Sequence, residues 1–411
     1  MYVAFQGMSR PLLLAVALTA LLAATGRAGA APAAPHWVGA WEAAPQSGGS
    51  ASDDQSHRLL IHTSAGGPSL RLRFSNRYGR APLVLRDVTV ALPVSPFGPA
   101  LREGTTRRVR FATGDGVTVP PGQSRRSLAV PFAVPADAWV AVSFYAPGSD
   151  PSTTNHGLAW GLNWTTVPGG GDHAAETSPA AFSVPVTQWN YLTGLEVTAP
   201  KAVSTVVALG DSITDALLSV PYANDRWPDL LNRRLAAAPG GQRFSVVNAG
   251  INGNLISGLN DGTAGYGEAG EKRLAWDVFD ESNVSTLILF LGVNDIGKGV
   301  PAARIITSYE RVIAAAHRRG IRVLISTMTP TVGAAVGRPD YATFKGARAE
   351  LNAWLTKNAD RFDGLLHFGE VVQNPAATDF WNSAYNEGDQ THPNPLGLQV
   401  MADSIPLSSF R

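Results

Sequence analysis

Four short blocks in the second half of the chain carry residue types that could work on one reacting centre. Gly210-Asp211-Ser212 follows the apolar run Val206–Leu209, so a hydroxyl stands where a buried strand would end. A serine hydroxyl becomes a useful nucleophile only when a neighbouring base takes its proton. Near the C-terminus, Asp389-Gln390-Thr391-His392 puts a carboxylate three residues before an imidazole. Such a carboxylate can hold one ring nitrogen, fix the tautomer and leave Nε2 free as the base. Asn248-Ala249-Gly250-Ile251-Asn252-Gly253-Asn254 follows the run Phe244–Val247, and its glycines let a backbone N–H approach a ligand oxygen. Gly292-Val293-Asn294-Asp295 follows Thr286–Leu291 and could aim a side-chain amide into the same cleft. Taken singly, each block has an ordinary structural explanation: a capping serine, a turn glycine, a loop asparagine, a surface ion pair.

The elements around these blocks must set them side by side. Apolar runs at Thr205–Leu209, Phe244–Val247, Thr286–Leu291, Arg322–Thr327 and Leu365–Phe368 read as buried parallel strands. Helical stretches are expected between them at about Asp225–Ala237, Gly270–Phe279, Pro301–Arg319 and Tyr341–Asn358. In the third, Ile305, Ile306, Tyr309, Val312, Ile313 and Ala316 share one stripe, and His317-Arg318-Arg319-Gly320 supplies a basic end and a stop. Strands alternating with helices imply a three-layer α/β domain with a parallel sheet over residues 200–411, whose ligands bind beyond the strand C-termini.

Residues 36–199 have a different pattern. Leu70-Arg71-Leu72-Arg73-Phe74 alternates apolar and charged residues, as Val109-Arg110-Phe111 does more briefly, predicting one buried and one wet face. Leu83–Leu92 and Trp139–Tyr145 are apolar runs bounded by turn residues. With no convincing helical period, this stretch predicts an all-β sandwich or jelly-roll-like domain.

The four blocks, in this order and each just past an expected strand, resemble the SGNH hydrolases, the superfamily that includes the GDSL esterases and lipases. The resemblance covers about residues 203–405 and implies a flavodoxin-like α/β/α fold. It assigns Ser212 as nucleophile, His392 as base and Asp389 as its carboxylate. It places Ser212, Gly253 and Asn294 at an oxyanion hole. Gly250 competes with Gly253 for the second donor, and Gly253 is preferred because it stands where the family motif has its glycine. Ile213 replaces the leucine of the GDSL name, an apolar exchange that changes no chemistry. Arg226-Trp227-Pro228-Asp229 and the leading β region also look like a secreted bacterial subgroup, although Trp-Pro-Asp suits an ordinary helix start. The family's activity implies cleavage of carboxylic esters through an acyl-enzyme, with no metal and no organic cofactor. Short-chain or carbohydrate O-acetyl esters are the expected substrates, as small molecules or on a polysaccharide. A glycan-binding protein with an inactive hydrolase fold, or an O-acyltransferase, is the alternative.

Composition sets outer limits. The 411 residues hold no cysteine, which removes thiol nucleophiles, disulfides and thiolate metal sites. Lys+Arg 33 against Asp+Glu 32 leaves a net +1, so nucleic acid has no electrostatic claim on the protein. Arg10, the apolar stretch Leu12–Ala24 and Ala28-Gly29-Ala30 read as a signal peptide over residues 1–30, with Met1 or Met8 as the start. The mature protein is expected to be secreted or periplasmic, without stable membrane insertion; the sequence leaves its oligomeric state open. Gly265-Tyr266-Gly267-Glu268-Ala269-Gly270 matches a dinucleotide-binding pattern, but no strand precedes it and it is expected to be a loop. No G-x-S-x-G occurs. The sequons Asn163-Trp164-Thr165 and Asn283-Val284-Ser285 arise readily by chance. Trp160 and Trp164 are expected on one face of a strand, as sandwich core or as sugar platforms. The other seven of the eight histidines have no acid placed so suggestively, although His156 could reach a cleft.

Overall fold

Runs of β-branched and aromatic residues, cut by Gly, Pro and Asp, build the first half of the protein entirely from antiparallel pairs. The computed structural model describes Met1 and residues 35–410, except 50–51, 151–152, 218, 260–261, 263–264, 331–333, 335 and 338–339. The expected leader, including Leu12–Ala24 and Ala28–Ala30, lies outside the described residues. Among the described residues no helix is long and apolar enough to cross a membrane.

The main strands of this region are β1 (Trp37–Glu42), β2 (Ser52–Thr63), β3 (Gly67–Ser75), β4 (Leu83–Ala91), β5 (Ala138–Asp150) and β6 (Leu192–Thr198). One sheet runs β1–β6–β3 and a second runs β2–β5–β4. Alternate residues of both sheets share a single core: Val38, Leu70, Leu72, Phe74 and Leu195 meet Leu59, Ile61, Val88, Val90, Val142 and Phe144. The period-2 pattern of the sequence is thus explained by which side chains turn inward.

Two expectations need correction. Arg73, on the supposedly wet face of β3, is only 4% exposed. That face turns toward the second half of the chain, and Arg73 is paired with Glu42, Asp280 and Glu281. Alternation reports which face is apolar but cannot tell water from a polar protein surface. Val109–Phe111 forms no strand; Arg107–Arg108 is the strand there, and Phe111 makes only an isolated bridge to Gly114.

The parallel sheet follows with β7 (Ser204–Gly210), β8 (Phe244–Gly250), β9 (Val284–Phe290), β10 (Arg322–Ser326) and β11 (Gly364–Leu366). Its order is β8-β7-β9-β10-β11, all parallel. The helices are α1 (Ser212–Asp215), α2 (Trp227–Ala237), α3 (Gly270–Asp277), α4 (Val293–Gly297), α5 (Ala302–His317), α6 (Tyr341–Lys357), α7 (Phe368–Val372) and α8 (Pro395–Ser404). From β7 the chain moves one way through α2, and from β8 onward it moves the other way. Right-handed crossovers therefore put the two sets of helices on opposite faces of the sheet. Accordingly α2 packs with α8 and α8 with α7, while α5 packs with α3 and α6. On α5, Ile305, Tyr309, Val312, Ile313 and Ala316 are buried, and Gly320 takes a φ of +70° just past its end. The reversal of direction beside β7 opens a crevice at its C-terminal end.

The antiparallel and parallel regions lie in one compact unit, Pro35–Arg411. Strand β1 contacts β8 and β7 directly. Gly39 N–H donates to Thr205 Oγ1 (2.9 Å), and Ser245 Oγ donates to Gly39 O (2.6 Å).

Candidate active site

Ser212 opens α1 at the C-terminal end of β7, in the crevice that the strand order creates. It does not cap that helix. The cap is Asp211, whose carboxylate accepts from Ile213 N–H (3.0 Å), so the Ser212 hydroxyl is free for other work. Its Oγ lies 2.9 Å from His392 Nε2. His392 Nδ1 lies 2.5 Å from Asp389 Oδ2. Asp389 Oδ1 accepts from the Thr391 and His392 backbone N–H groups, both at 2.8 Å. Partial burial would raise the Asp389 pKa, but these N–H donors and the imidazole outweigh it and hold the carboxyl below its ordinary range. An ionised Asp389 can only accept, so the proton on the ring sits at Nδ1 and Nε2 faces the serine as the acceptor. Residues 180 positions apart in sequence thus form one hydrogen-bonded line.

The glycine block forms the turn Ile251–Asn254, closed by Asn254 N–H donating to Ile251 O (3.1 Å). Gly253 is its third residue, with φ +72°, a conformation that favours glycine. The two competing glycines differ in their N–H groups. Gly250 N–H already donates to Asn248 Oδ1 (2.8 Å), whereas the Gly253 and Ser212 N–H groups meet no protein acceptor among the described residues. Gly250 has a separate reason to be glycine: a Cβ there would lie 2.4 Å from Asp215 N, so α1 could not seat against β8. Asn294, in α4, donates from Nδ2 to Asn254 O (3.0 Å), which brings its amide to the Gly253 turn with a second N–H to spare.

Residues 208–400 match the GDSL-like lipase/acylhydrolase family. This part of the chain belongs to that family. The protein is accordingly an ester-hydrolysing enzyme. No curated protein resembles the chain closely enough to count as a relative. Among solved structures, the chain is similar to a putative lipolytic protein of the G-D-S-L family from Desulfitobacterium hafniense, at 18% identity. That match covers 50% of this chain and 98% of the other, with a TM-score of 0.37. It is also similar to a carbohydrate acetylesterase family member from Sinorhizobium meliloti, at 20% identity over 49% of this chain and 95% of the other (TM-score 0.39). The aryl esterase of M. smegmatis matches at 16% identity over 49% of this chain and 95% of that one (TM-score 0.38).

Several supports of the GDSL-like domain's site were not anticipated from the sequence. Arg273 of α3 is buried and bonds Gly210 O and Ala249 O, both at 2.8 Å, stitching the ends of β7 and β8. It also meets Asn254 Oδ1 at 3.1 Å. Asn254 in turn donates to Tyr266 O (2.7 Å) and Glu268 O (2.8 Å), so the G-x-G-x-x-G segment is a loop held against the site. Asp295 accepts from Ile256 N–H (2.9 Å) and Ser257 N–H (3.1 Å), fixing the chain beyond the turn. Near the base, Asn386 accepts from Gly388 and Gln390 N–H and donates to His392 O (2.7 Å). Apart from Asn386, whose partners lie two to six residues away, none of these has a spacing that points to its partner. Burial pushes the Asp211 carboxyl up to about 7, with Asp295 adding to the rise.

The antiparallel region also reaches the site. Gln46 and Ser47 donate to Gly265 O and Gly262 O of the loop beyond Gly253, and Arg77 pairs with Glu268 (2.6 Å). His156 contacts Asp215 of α1. The paired tryptophans are a correction: Trp164 lies in the strand Asn163–Thr165, but Trp160 sits in a bend with φ +47° and shares no strand with it. Trp160 instead lines an apolar hollow of about 400 Å³ with Leu158, Leu162, Pro221 and Tyr222. Asn163 of the first sequon is buried, with Oδ1 bonded to Leu60 N–H and Nδ2 to Gln188 O. Among the described residues, no three His, Asp or Glu side chains group as metal ligands.

Proposed function

We propose that the enzyme hydrolyses short-chain or carbohydrate O-acetyl esters through an acyl-enzyme on Ser212. The observation that carries the reading is the Ser212–His392–Asp389 line, at 2.9 and 2.5 Å. Ser212 Oγ attacks the ester carbonyl while its proton passes to His392 Nε2. The developing oxyanion is held by the N–H groups of Ser212 and Gly253 and by the Asn294 amide. His392 then protonates the departing alkoxide, and the alcohol leaves. Water repeats the path: His392 takes its proton, the oxygen attacks the acyl carbon, and Ser212 recovers the proton as the acid departs. Asp389 stays ionised and stabilises the imidazolium in both halves.

The leader pattern and near-neutral net charge support an uncharged ester met outside the cytoplasm as substrate. Incubating the mature chain with a p-nitrophenyl acetate and with an acetylated xylan, and measuring free acetate, tests the reading. Ser212→Ala should remove turnover and labelling by a fluorophosphonate while leaving the circular dichroism unchanged. Acetate release by Ser212→Ala at the wild-type rate would refute the nucleophile. Acetyl appearing on an acceptor sugar in place of free acetate would make the enzyme an acyltransferase.

A further inference from the structure

His156 belongs to the antiparallel region, yet one of its ring nitrogens reaches the nucleophile's helix. It is 3% exposed and lies in the short strand Thr154–His156, opposite Trp189. Nδ1 is 2.9 Å from Ala44 O, and Nε2 is 3.2 Å from Asp215 Oδ1. A carbonyl oxygen can only accept a hydrogen bond, and so can an ionised carboxylate. A neutral imidazole has one N–H and could satisfy one of them. Filling both therefore takes an imidazolium, matched by the Asp215 carboxylate. A buried ion pair with one member removed is strongly destabilised, so each partner holds the other in place.

The far end of this pair is the active site. Asp215 is the last residue of α1, three positions after Ser212, and α1 is a single turn. Several contacts hold that turn: Asp211 caps its start, Ile213 is packed in the core, Asn248 Nδ2 donates to Thr214 O (2.7 Å), and Gly250 lets it lie close to β8. His156 bonds the Asp215 carboxylate from a region outside the family match. We propose that His156 is a positioning residue for ester hydrolysis: its imidazolium, anchored on Ala44 O, fixes Asp215 and thereby the placement of Ser212 Oγ against His392. This rests on Ser212 being the nucleophile.

The charged groups around the ring agree with that role. Burial alone would lower the His156 pKa; Asp215, through charge and hydrogen bond, and the Ala44 carbonyl outweigh it and raise the pKa above the ordinary imidazole value. Arg226, at the start of α2, opposes protonation; it is itself paired with Asp229 (2.7 Å) and feels the charges of Asp215 and Asp225. Because the folded-state pKa is raised, the imidazolium is held on the acid side of that raised value and is lost as pH rises through it. Turnover should therefore have an alkaline limb belonging to His156.

Asparagine and glutamine separate the two contacts, since an Asn amide nitrogen overlays Nδ1 and a Gln amide nitrogen overlays Nε2. His156→Asn keeps the bond to Ala44 O and loses Asp215; His156→Gln keeps a neutral donor to Asp215. With p-nitrophenyl acetate, His156→Asn should lose ~10–100-fold in kcat with KM within about twofold, the cost of a misplaced reacting group. Fluorophosphonate labelling of Ser212 should slow by the same factor. His156→Gln should recover part of the loss, and its kcat profile should lack the alkaline limb. Wild-type kcat and labelling in His156→Asn would overturn the proposal, as would equal losses in both variants with the alkaline limb unchanged. If neither variant folds, the wild-type chain decides: a kcat level on the alkaline side up to the onset of unfolding refutes a titrating His156. Labelling of Ser212 in the wild type, absent in Ser212→Ala, keeps failure of this proposal separate from failure of the nucleophile assignment.

Discussion

Asp389→Asn changes one atom and should be among the most damaging substitutions in the protein. Asp389 Oδ1 takes two backbone N–H groups, from Thr391 and His392, while Oδ2 takes His392 Nδ1. In the asparagine variant the remaining oxygen stays with the two N–H groups, because the amide NH2 cannot accept from them. That turns the NH2 toward Nδ1, which must then be the acceptor. The ring proton moves to Nε2, and Nε2 can no longer take the proton of Ser212. Restoring the active tautomer means turning the amide over. Two hydrogen bonds of ~1 kcal/mol each are lost, and opposed donors add roughly another 1–3 kcal/mol. The sum, ~3–5 kcal/mol, is a factor of about 10²–10⁴ in rate. The variant has also lost the carboxylate that stabilises the imidazolium, so the upper part of that range, 10³–10⁴ in kcat, is expected, with KM nearly unchanged. Asp389→Ala enforces neither tautomer and should be no worse than Asp389→Asn. Steady-state hydrolysis of p-nitrophenyl acetate measures both. Asp389→Asn keeping more than about a tenth of wild-type kcat would refute the tautomer argument.

Asn294→Ala should lose ~10²–10³ in kcat through the missing oxyanion donor. It should also lose about 1 kcal/mol of stability, because Asn254 O loses its partner, and calorimetry beside kinetics separates the two effects. Asp211 offers a test by pH: its folded-state pKa is pushed up to about 7, against ~3.9 for an unperturbed Asp. The folded protein then binds more protons than the unfolded chain between those values, so its stability should fall as pH rises from about 4 to about 7. Asp211→Asn keeps the acceptor for Ile213 N–H and should flatten that part of the profile; melting curves at pH 5 and pH 8 with equal slopes in both proteins would contradict it.

Much of the parallel region was legible because its strands are buried on both faces and read as continuous apolar runs. All five were anticipated to within a few residues, as were α2, α3, α5 and α6. The Ser212, Gly253, Asn294 and Asp389–His392 blocks were visible because each stands at the end of a strand or in a short local spacing. What was missed is polar and mostly long-range. Arg73 looked solvated, since a charged residue alternating with leucines reads the same whether it meets water or Glu281. Arg273 gave no sign that it would bond two strand ends, and Asn386 none that it would brace the His392 loop. Such contacts depend on directions that only the folded backbone sets.

The sequence by itself determined the local chemistry: a serine after a buried strand, an aspartate three residues from a histidine, and glycines where the backbone must turn tightly. It also determined the two patterns of apolar periodicity, because burial of one face or of both leaves its mark residue by residue. Only the tertiary structure decided the rest. The strand order brought Ser212 within 2.9 Å of His392 across 180 positions, and the packing of β1 against β7 and β8 carried His156 to the back of α1. Hydrophobic patterning is nearly non-directional and can be read along the chain. Hydrogen bonds and ion pairs need two groups at a given distance and angle, and one partner's place in the sequence carries no information about the other's.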